Sequence, residues 1–353
     1  MKEEVKKDIR SAGMAEITAF LERHQEPKFR AKQIYEWLWN KWVHDFEAMS
    51  NLPQSLRSLL GENFYLSGIK KVDEQISQDG TRKLAFRLPD GLLIEGVLIP
   101  SADRSTACIS SQAGCPLACT FCATGQLPYQ RNLTPGEIFD QFGFLEQLSE
   151  EVFQRKLTNI VFMGMGEPLL NFPNVSQAIS HLTDPRGRGF SPQRITLSTI
   201  GLPKMIKKMA DQEVRYNLAL SLHSAIDEKR EKLMPVHKKY SMKELGDALV
   251  YFHQKTKNRI TFEYLMLGKV NDSPADARAL ASFSRIVPCK INLIEYNPVG
   301  KNDYQKSTPE VTEAFKAELE KRNMIVNIRK SKGNDIAGAC GQLANKHINK
   351  NQG

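Results

Sequence analysis

The chain has 353 residues, 41% of them hydrophobic, and a formal net charge of +9 at pH 7, a composition that suits a globular protein with a sizeable core. It contains no run of roughly 18 apolar residues and no apolar signal core, which excludes a membrane span and predicts a cytoplasmic protein. Six cysteines are too few for a disulfide scaffold, and the positive charge favours a polyanionic partner such as nucleic acid.

Residues 1–67 are predicted to form a helical accessory domain. An apolar stripe at helical spacing consists of Phe29, Ile34, Trp37, Leu38 and Val43. The stripe predicts the core of a small bundle, with Trp37 inside it. Arg30, Lys32 and Lys41 lie on other faces, where they would contact RNA phosphates. Both interpretations hold together because the stripe and the charges occupy different faces.

Residues 68–100 are predicted to form a short antiparallel β meander that leads into the core, since Asp79-Gly80 and Asp90-Gly91 mark two tight turns. The last run, residues 92–99, is apolar on both faces except for Glu95, which predicts a carboxylate that points into a covered site. A buried acid of this kind is either the structural partner of an amide or arginine or a functional group. The sequence leaves both interpretations open.

Residues 101–344 alternate predicted strands and helices, whereas residues 345–353 have the composition of a disordered tail. The candidate strands are 107–112, 157–164, 194–198, 216–222, 259–266, 290–296 and 324–329. Helix-start signals between them are Thr134 with Glu137, Ser241 with Glu244, Ser273-Pro and Thr308-Pro. Serial strand and helix units predict an α/β fold with parallel strands, as a partial barrel or alternatively a doubly wound sheet. In either case a ligand site lies at the C-terminal ends of the strands.

Four of the six cysteines fall within fifteen residues, at positions 108, 115, 119 and 122. Cys108 lies in the first of these strands, and the other three lie in the loop after it. Cys115, Cys119 and Cys122 supply three thiolates, whereas a closed zinc site or a fully ligated four-iron cluster needs four protein ligands. The open position would let a [4Fe-4S] cluster bind a substrate or cofactor. Alternatively, Cys108 is the fourth ligand of a structural zinc site or a fully ligated cluster.

This C-x3-C-x2-C spacing, with Phe121 before the third cysteine, resembles the signature of radical S-adenosylmethionine (radical SAM) enzymes. The resemblance implies a partial (β/α)6 radical SAM barrel. Further segments, between about residue 29 and residue 343, resemble the RlmN/Cfr family of RNA adenine methyltransferases in order and spacing. They are 108–115 (CISSQAGC), 121–125 (FCATG), 163–169 (MGMGEPL), 197–199 (LST), 221–223 (SLH), 295–298 (EYNP) and 338–343 (GACGQL).

The resemblance implies two cofactors and the residues that bind them. Cys115, Cys119 and Cys122 would hold the [4Fe-4S] cluster, whose open iron would chelate SAM. Gly166 and Glu167 would hold the methionyl amino group. The remainder of SAM would be contacted by Ser198, Ser221, Leu222, His223 and Asn297. Taken singly, serines and asparagines at such places more often cap strand ends.

The resemblance also implies roles for two further thiols and one acid. Cys340, in a Gly-Ala-Cys-Gly loop flexible enough to swing over the barrel mouth, would accept a methyl group from one SAM. A radical from a second SAM would abstract hydrogen from the methylated thiol, and the methylene radical would add to adenine. Cys108 would then release the RNA through a transient disulfide with Cys340, with Glu95 as proton acceptor or relay. Cys289 matches no family role and is predicted to belong to the core.

The implied substrates are 23S ribosomal RNA, at the peptidyl-transferase-centre adenine, and tRNA, at the adenine just 3′ of the anticodon. Ala113 favours methylation at C2, the RlmN pattern, over C8, the Cfr pattern. An electron donor such as flavodoxin or ferredoxin is implied, and a monomer is expected. Candidate RNA-contact residues at the rim are Arg131, Arg186, Arg188, Lys238 and Lys239. The alternatives are a non-catalytic RNA-binding protein with a structural metal and a radical SAM enzyme that modifies a peptide.

Overall fold

The computed structural model describes residues 6–66, 68–300 and 302–345, so the predicted disordered tail lies outside the described residues except for Asn345. The described helices are α1 Met14–Arg23, α2 Arg30–Trp39, α3 Gln54–Asn63, α4 Pro135–Phe153, α5 Phe172–Thr183, α6 Pro203–Asp211, α7 Asp227–Leu233, α8 Met242–Thr256, α9 Pro274–Ser284 and α10 Pro309–Glu320. The described strands are β1 Lys7–Asp8, β2 Phe64–Tyr65, β3 Lys70–Ile76, β4 Arg82–Arg87, β5 Leu93–Pro100, β6 Ser105–Cys108, β7 Gln112–Ala113, β8 Arg131–Asn132, β9 Asn159–Phe162, β10 Ile195–Thr199, β11 Asn217–Ser221, β12 Ile260–Met266, β13 Cys289–Glu295 and β14 Val326–Arg329.

Helices α1 to α3 and the short parallel pair β1–β2 form the N-terminal accessory region. Ile34 and Leu38 are buried as the stripe predicts. The prediction of a buried stripe is wrong for Phe29, whose side chain is 56% exposed. Phe29 precedes the first residue of α2, so helical spacing does not determine where its side chain points. The prediction is also wrong for Trp37, which is only partly buried and carries the Lys41 ammonium 3.6 Å from its ring centre.

A buried carboxylate joins the accessory region to the rest of the molecule. Asp140 of α4 accepts hydrogen bonds from the Arg10 guanidinium, from the Trp42 indole N–H at 2.8 Å and from the Ile69 backbone N–H at 3.1 Å. The Arg10 and Asp140 side chains are 1% and 0% exposed. Because a buried charge without its partner is costly, this network holds the accessory region, the start of the meander and α4 in one arrangement.

One large sheet of ten strands organises the remaining chain, in the order β14-β13-β12-β11-β10-β9-β6-β5-β4-β3. Strands β3, β4 and β5 are the predicted antiparallel meander, and β5 pairs antiparallel with β6. From β6 to β14 the seven large-sheet strands are parallel and follow chain order, and they correspond to the seven candidate strands. A doubly wound sheet reverses its strand order at a switch point, so this unreversed order favours the barrel.

The sheet is curled but open. Strands β3 and β14 are its two edges, yet Ile99 of β5 and Arg329 of β14 line one cavity. Four of the helices after β6, namely α4, α8, α9 and α10, begin where the sequence predicts, with capping boxes at Thr134 and Ser241 and N-caps at Ser273 and Thr308. The C-terminal ends of the parallel strands therefore meet around a common mouth.

No helix in residues 6–66, 68–300 and 302–345 is long and apolar enough to cross a bilayer.

Candidate active site

Two neighbouring cavities open at the C-terminal ends of the parallel strands. The larger is here called the cluster cavity. Its lining includes the predicted site residues Cys115, Cys119, Cys122, Gly166, Glu167, Ser198, Ser221, His223 and Cys340. The smaller, here called the thiol cavity, is lined by both Cys108 and Cys340. Cys340 lines both cavities and so lies at their boundary.

The three cluster cysteines lie on the loop between β7 and β8, which pair with each other and close the loop at its base. Within the loop the Cys122 N–H donates to the Cys119 carbonyl at 3.2 Å, and Ala118 adopts a φ of +51°. The Thr120 N–H donates to the carbonyl of Leu233 at 3.0 Å. These contacts turn all three thiols toward one cavity.

The three thiols line one cavity and influence one another's charge. Burial raises the pKa of the Cys119 thiol, and the nearby Cys122 and Cys115 raise it further. Among the described residues, no three Cys, His, Asp or Glu side chains are arranged to ligate one metal ion. A four-iron cluster uses one thiolate per iron, so its ligands are spread around it rather than converging on a point. Cys108 lines the other cavity, and the structure therefore does not bring it to the three as a fourth ligand.

Glu167 follows β9 and is held by backbone groups from two loops. Its carboxylate accepts from the Leu169 N–H at 3.0 Å and from the Ile200 N–H at 2.9 Å, while its own N–H donates to the Gln112 side chain. Burial raises the pKa of this carboxyl. Gly166 has a φ of +95°, and a Cβ there would lie 2.5 Å from that of Gln112, so the turn requires glycine. The acid thus shapes the turn that lines the cluster cavity.

Strands β10 and β11 contribute the next predicted group. The Ser198 and Ser221 hydroxyls lie 3.3 Å apart at the cavity wall. The His223 Nδ1 atom accepts from the Leu265 N–H at 3.0 Å, which leaves the proton of the neutral ring on Nε2. Burial and the nearby Arg230 lower the pKa of His223 to about 3, so the ring is neutral at physiological pH.

Two predicted SAM contacts do not reach either cavity. The Leu222 side chain is fully buried, and its backbone bonds to neighbouring elements. Asn297 is also buried, and its side-chain amide donates to the Glu295 carbonyl at 3.4 Å. Neither residue is among those that line the cluster cavity. In this structure both support the wall from behind.

Arg230 of α7 is a site residue that the sequence analysis missed. Its guanidinium is buried and donates to the carbonyls of Ile200 and Leu222, at the ends of β10 and β11. It also bonds to His237 Nδ1 at 2.7 Å, and the other nitrogen of that ring lies 2.7 Å from Asp227. The arginine thereby fastens two strand ends that line the cluster cavity. In the sequence Arg230 stands in a run of charged residues, which gives no indication that it is buried. The one local indication is that it lies three residues before the buried Leu233, and so on the same face of a helix.

The thiol pair lies on two distant segments. Cys108 ends β6, and Cys340 lies in the loop after β14. Burial and the charge of Cys340 raise the pKa of the Cys108 thiol to about 12, against a smaller opposing effect of Arg329. Cys340 is exposed to the cavity solvent, but surrounding protein still raises the pKa of its thiol, while Arg329 lowers it. All six cysteines are free thiols, so the structure contains no disulfide.

The loop that carries Cys340 is held in place rather than loose. The Gly341 carbonyl accepts from the Ala123 N–H at 2.7 Å, next to the cluster cysteine 122. Upstream, the Gly333 N–H donates to Asp79 in the first turn of the meander at 3.0 Å. The loop's flexibility predicted from its glycines is therefore restricted by contacts that only the folded chain supplies.

Glu95 secures the downstream end of the same loop. It is 1% exposed, and its Oε2 atom accepts from the N–H groups of Ala344 at 2.8 Å and Asn345 at 3.2 Å. Its Oε1 atom lies 3.4 Å from the Lys83 ammonium. Glu95 lines neither cavity. The structure thus gives this acid backbone and ammonium partners.

Most of the proposed RNA-rim residues have acidic partners. Arg131 binds Glu137 with two nitrogens at 2.8 Å and also contacts Asp90. Arg186, Arg188 and Lys238 lie within 3.6 Å of Asp184, Glu146 and Glu231, respectively. Lys239 is exposed. These pairs reduce the positive charge that the rim presents to RNA, most of all at Arg131.

Two family models match the chain. Residues 8–66 match the ribosomal RNA large subunit methyltransferase N-terminal domain, and residues 109–281 match the radical SAM superfamily. A solved structure, a radical SAM methyltransferase from Sphaerobacter thermophilus, superposes with a TM-score of 0.90 at 38% identity and covers 96% of this chain and 99% of its own. The fold and the cysteine loop thus define a radical SAM protein, and the predicted fold class is confirmed.

Similarity to curated proteins shows to which family of radical SAM proteins the chain belongs. A protein of Flavobacterium johnsoniae named "Probable dual-specificity RNA methyltransferase RlmN" is 50% identical over 97% of this chain and 98% of its own. The "Dual-specificity RNA methyltransferase RlmN" of Anaeromyxobacter dehalogenans is 41% identical over 96% and 91%. The chain belongs to the RlmN family of radical SAM RNA methyltransferases. It is therefore an enzyme, which removes the non-catalytic alternative, and its family implies a [4Fe-4S] cluster and SAM.

Proposed function

We propose that this enzyme methylates carbon 2 of adenine in 23S ribosomal RNA and tRNA, through an S-methylcysteine at Cys340 and with two molecules of SAM per turnover. The observation that carries the proposal is the position of Cys340 at the boundary of two cavities. On one side it shares a cavity with the three cluster cysteines, and on the other with the second thiol, Cys108. A single residue can thus take part in both radical formation and product release.

Cys115, Cys119 and Cys122 are the ligands that would hold the [4Fe-4S] cluster. Bound there, the cluster would supply the electron for reductive cleavage of SAM, the source of a 5′-deoxyadenosyl radical. The electron comes from a donor such as flavodoxin or ferredoxin. The loop of Gly166 and Glu167 and the strand ends at Ser198, Ser221 and His223 then orient SAM, because all of them line the same cavity. Leu222 and Asn297 would act on SAM only through the residues in front of them.

The Cys340 thiolate first attacks the methyl carbon of one SAM, forming the S-methyl bond while S-adenosylhomocysteine leaves, since a thiolate is the nucleophile that such a displacement needs. The 5′-deoxyadenosyl radical would take a hydrogen atom from the methylated thiol and leave as 5′-deoxyadenosine, and the resulting methylene radical would add to C2 of adenine. The adduct would then return its unpaired electron to the cluster that supplied it. Carbon 2 is electrophilic and cannot take a methyl group from SAM directly. The RNA is then joined to the protein through the Cys340 sulfur.

Cys108 then releases the RNA. Its thiolate attacks the Cys340 sulfur, a transient sulfur–sulfur bond forms and the carbon–sulfur bond to RNA breaks, with the electron pair passing to the carbon. Glu95 would accept or relay the accompanying proton. It lies outside both cavities, so this role would require the Ala344 and Asn345 N–H groups to release its carboxylate.

Nucleoside mass spectrometry tests the whole proposal. Ribosomal RNA and tRNA from cells that lack the protein should have lost 2-methyladenosine, and restoring the gene should restore it. Loss of 8-methyladenosine instead would show that the enzyme methylates carbon 8 of adenine. Unchanged methylation of both RNAs would contradict the proposed substrates.

Cys108→Ala is expected to trap RNA covalently on Cys340, since no thiol remains to break the carbon–sulfur bond. Denaturing gels of the reaction with labelled RNA should show a protein–RNA conjugate that nuclease shortens, and free methylated product should fall by about a hundredfold or more. Cys289→Ala is the control, because Cys289 lines neither cavity and bonds only to the Ser284 carbonyl among the described residues. Free product from Cys108→Ala at the wild-type rate would remove the resolving role.

Glu167→Gln is expected to weaken SAM binding about 10- to 100-fold, the scale of one hydrogen bond to a charged group. The amide oxygen can still accept from one of the Leu169 and Ile200 N–H groups, but the NH2 group cannot accept from the other, so the turn beside Gly166 loosens. Equilibrium binding of labelled SAM to the reconstituted enzyme measures the change. Glu146→Gln is the control, since this carboxylate is also largely buried but pairs with Arg188 outside the cavity. Equal affinities in both variants would show that Glu167 does not shape the SAM site.

A further inference from the structure

The thiol cavity has a pronounced excess of positive charge. Arg329, Lys330 and Lys332 line it, and its lining contains no carboxylate among the described residues. The cluster cavity, in contrast, includes two acids, Glu167 and Glu263. The charge of the smaller cavity comes from one short segment, because all three cations stand within four residues at and after the end of β14.

These cations retain capacity for another anion. The Arg329 guanidinium lies 3.4 Å from Glu263 through one nitrogen, and its side chain is 39% exposed. Lys332 is 4.0 Å from Asp79 and 44% exposed, and Lys330 has no ion pair within the described part of the chain. A guanidinium and two ammonium groups offer many more N–H donors than these contacts use.

The position of the cavity limits what its ligand can be. SAM and the cluster would occupy the larger cavity. A substrate base that must reach the Cys340 sulfur would therefore approach it from the thiol cavity. Cys108, which must also reach that sulfur, lies there as well. A base in RNA brings its own backbone phosphates, and phosphates are the anions that clustered lysine and arginine side chains bind best.

We infer that the thiol cavity is a phosphate-binding subsite for the substrate RNA, in which Lys330 and Lys332 contact phosphates beside the target adenosine. The inference rests on the proposed function. It gives the segment 329–332 a role separate from both thiols: it fixes the register of the RNA so that the base meets Cys340.

The test is a double variant, Lys330→Gln with Lys332→Gln, in the cluster-reconstituted full chain. Its matched control is Lys208→Gln with Lys255→Gln, which removes the same charge from exposed positions near the ends of α6 and α8, before strands β11 and β12 begin. RNA dissociation constants are measured over a range of salt concentrations. We expect the slope of log Kd against log salt to fall by about 1.4 in the test variant, since each single-stranded phosphate contact contributes about 0.7. The control should keep the wild-type slope, and equal melting temperatures would verify that both variants fold.

A second measurement separates RNA phosphates from free phosphate or the SAM carboxylate. A neutral methylphosphonate replaces, one at a time, each phosphate flanking the target adenosine. The wild type should lose affinity for at least one such RNA, whereas the test variant should be insensitive to the same replacement. Either of two results would overturn the inference while leaving RNA methylation by the wild type intact. One is a salt slope of the test variant equal to that of the wild type. The other is a loss of RNA affinity from the methylphosphonate that is as large in the test variant as in the wild type. A wild type that methylates no adenine would overturn the proposed function itself, and the inference with it.

Discussion

Replacement of Cys340 by serine is expected to abolish RNA methylation, lowering its rate by at least about 10⁴-fold, the scale on which the loss of a covalent nucleophile acts. A serine hydroxyl stays protonated near neutral pH and is a poor acceptor of the SAM methyl group without an adjacent base. The proposed cluster ligands Cys115, Cys119 and Cys122 are untouched, so reductive cleavage of SAM should continue. Enzyme given methyl-deuterated SAM and then digested should carry label on the peptide of residue 340 only in the wild type.

Cys289→Ser is the matched control for this experiment. Its sulfur donates to the Ser284 carbonyl at 3.3 Å, a bond that a hydroxyl can also make, and it lines neither cavity. Methylation should persist in this variant. Methylated RNA from Cys340→Ser at more than a small fraction of the wild-type rate would refute the methyl-carrier role, even if the cluster were intact.

Asp140→Ala is expected to lower the free energy of unfolding by about 3–5 kcal/mol, because it leaves the buried Arg10 guanidinium without its counter-charge. It also removes the acceptor of the Trp42 indole and of the Ile69 N–H. Since these groups belong to the accessory region and to the segment before the meander, that region should separate from the barrel first. Urea titration followed by tryptophan fluorescence measures the loss.

The control for Asp140 is Glu151→Ala on the same helix, α4. Glu151 is exposed and contacts Gln147 one turn away, so its removal should change the free energy of unfolding very little. A loss for Asp140→Ala no larger than that for Glu151→Ala would mean that the buried network does not join the accessory region to the barrel.

Much of the fold follows from local signals. The capping boxes at Thr134 and Ser241 and the turns at Gly80 and Gly91 lie where the pattern predicts, because their geometry depends on a few neighbouring residues. Strand periodicity likewise located all seven parallel strands of the barrel. Phe29 departs from its pattern, since helical spacing directs a side chain only inside a helix.

The candidate site also has some features that the sequence determines and others that depend on the tertiary structure. The sequence by itself determined the cysteine loop, since the three proposed ligands of one cluster lie within eight residues, and its motifs identified the family. Only the tertiary structure decided that Cys340 borders two cavities, that Cys108 faces the second of them and that Arg230 fastens two strand ends. Those relations join residues up to 232 positions apart, from Cys108 to Cys340. No local pattern encodes such a distance, because it is produced by the curl of the whole sheet.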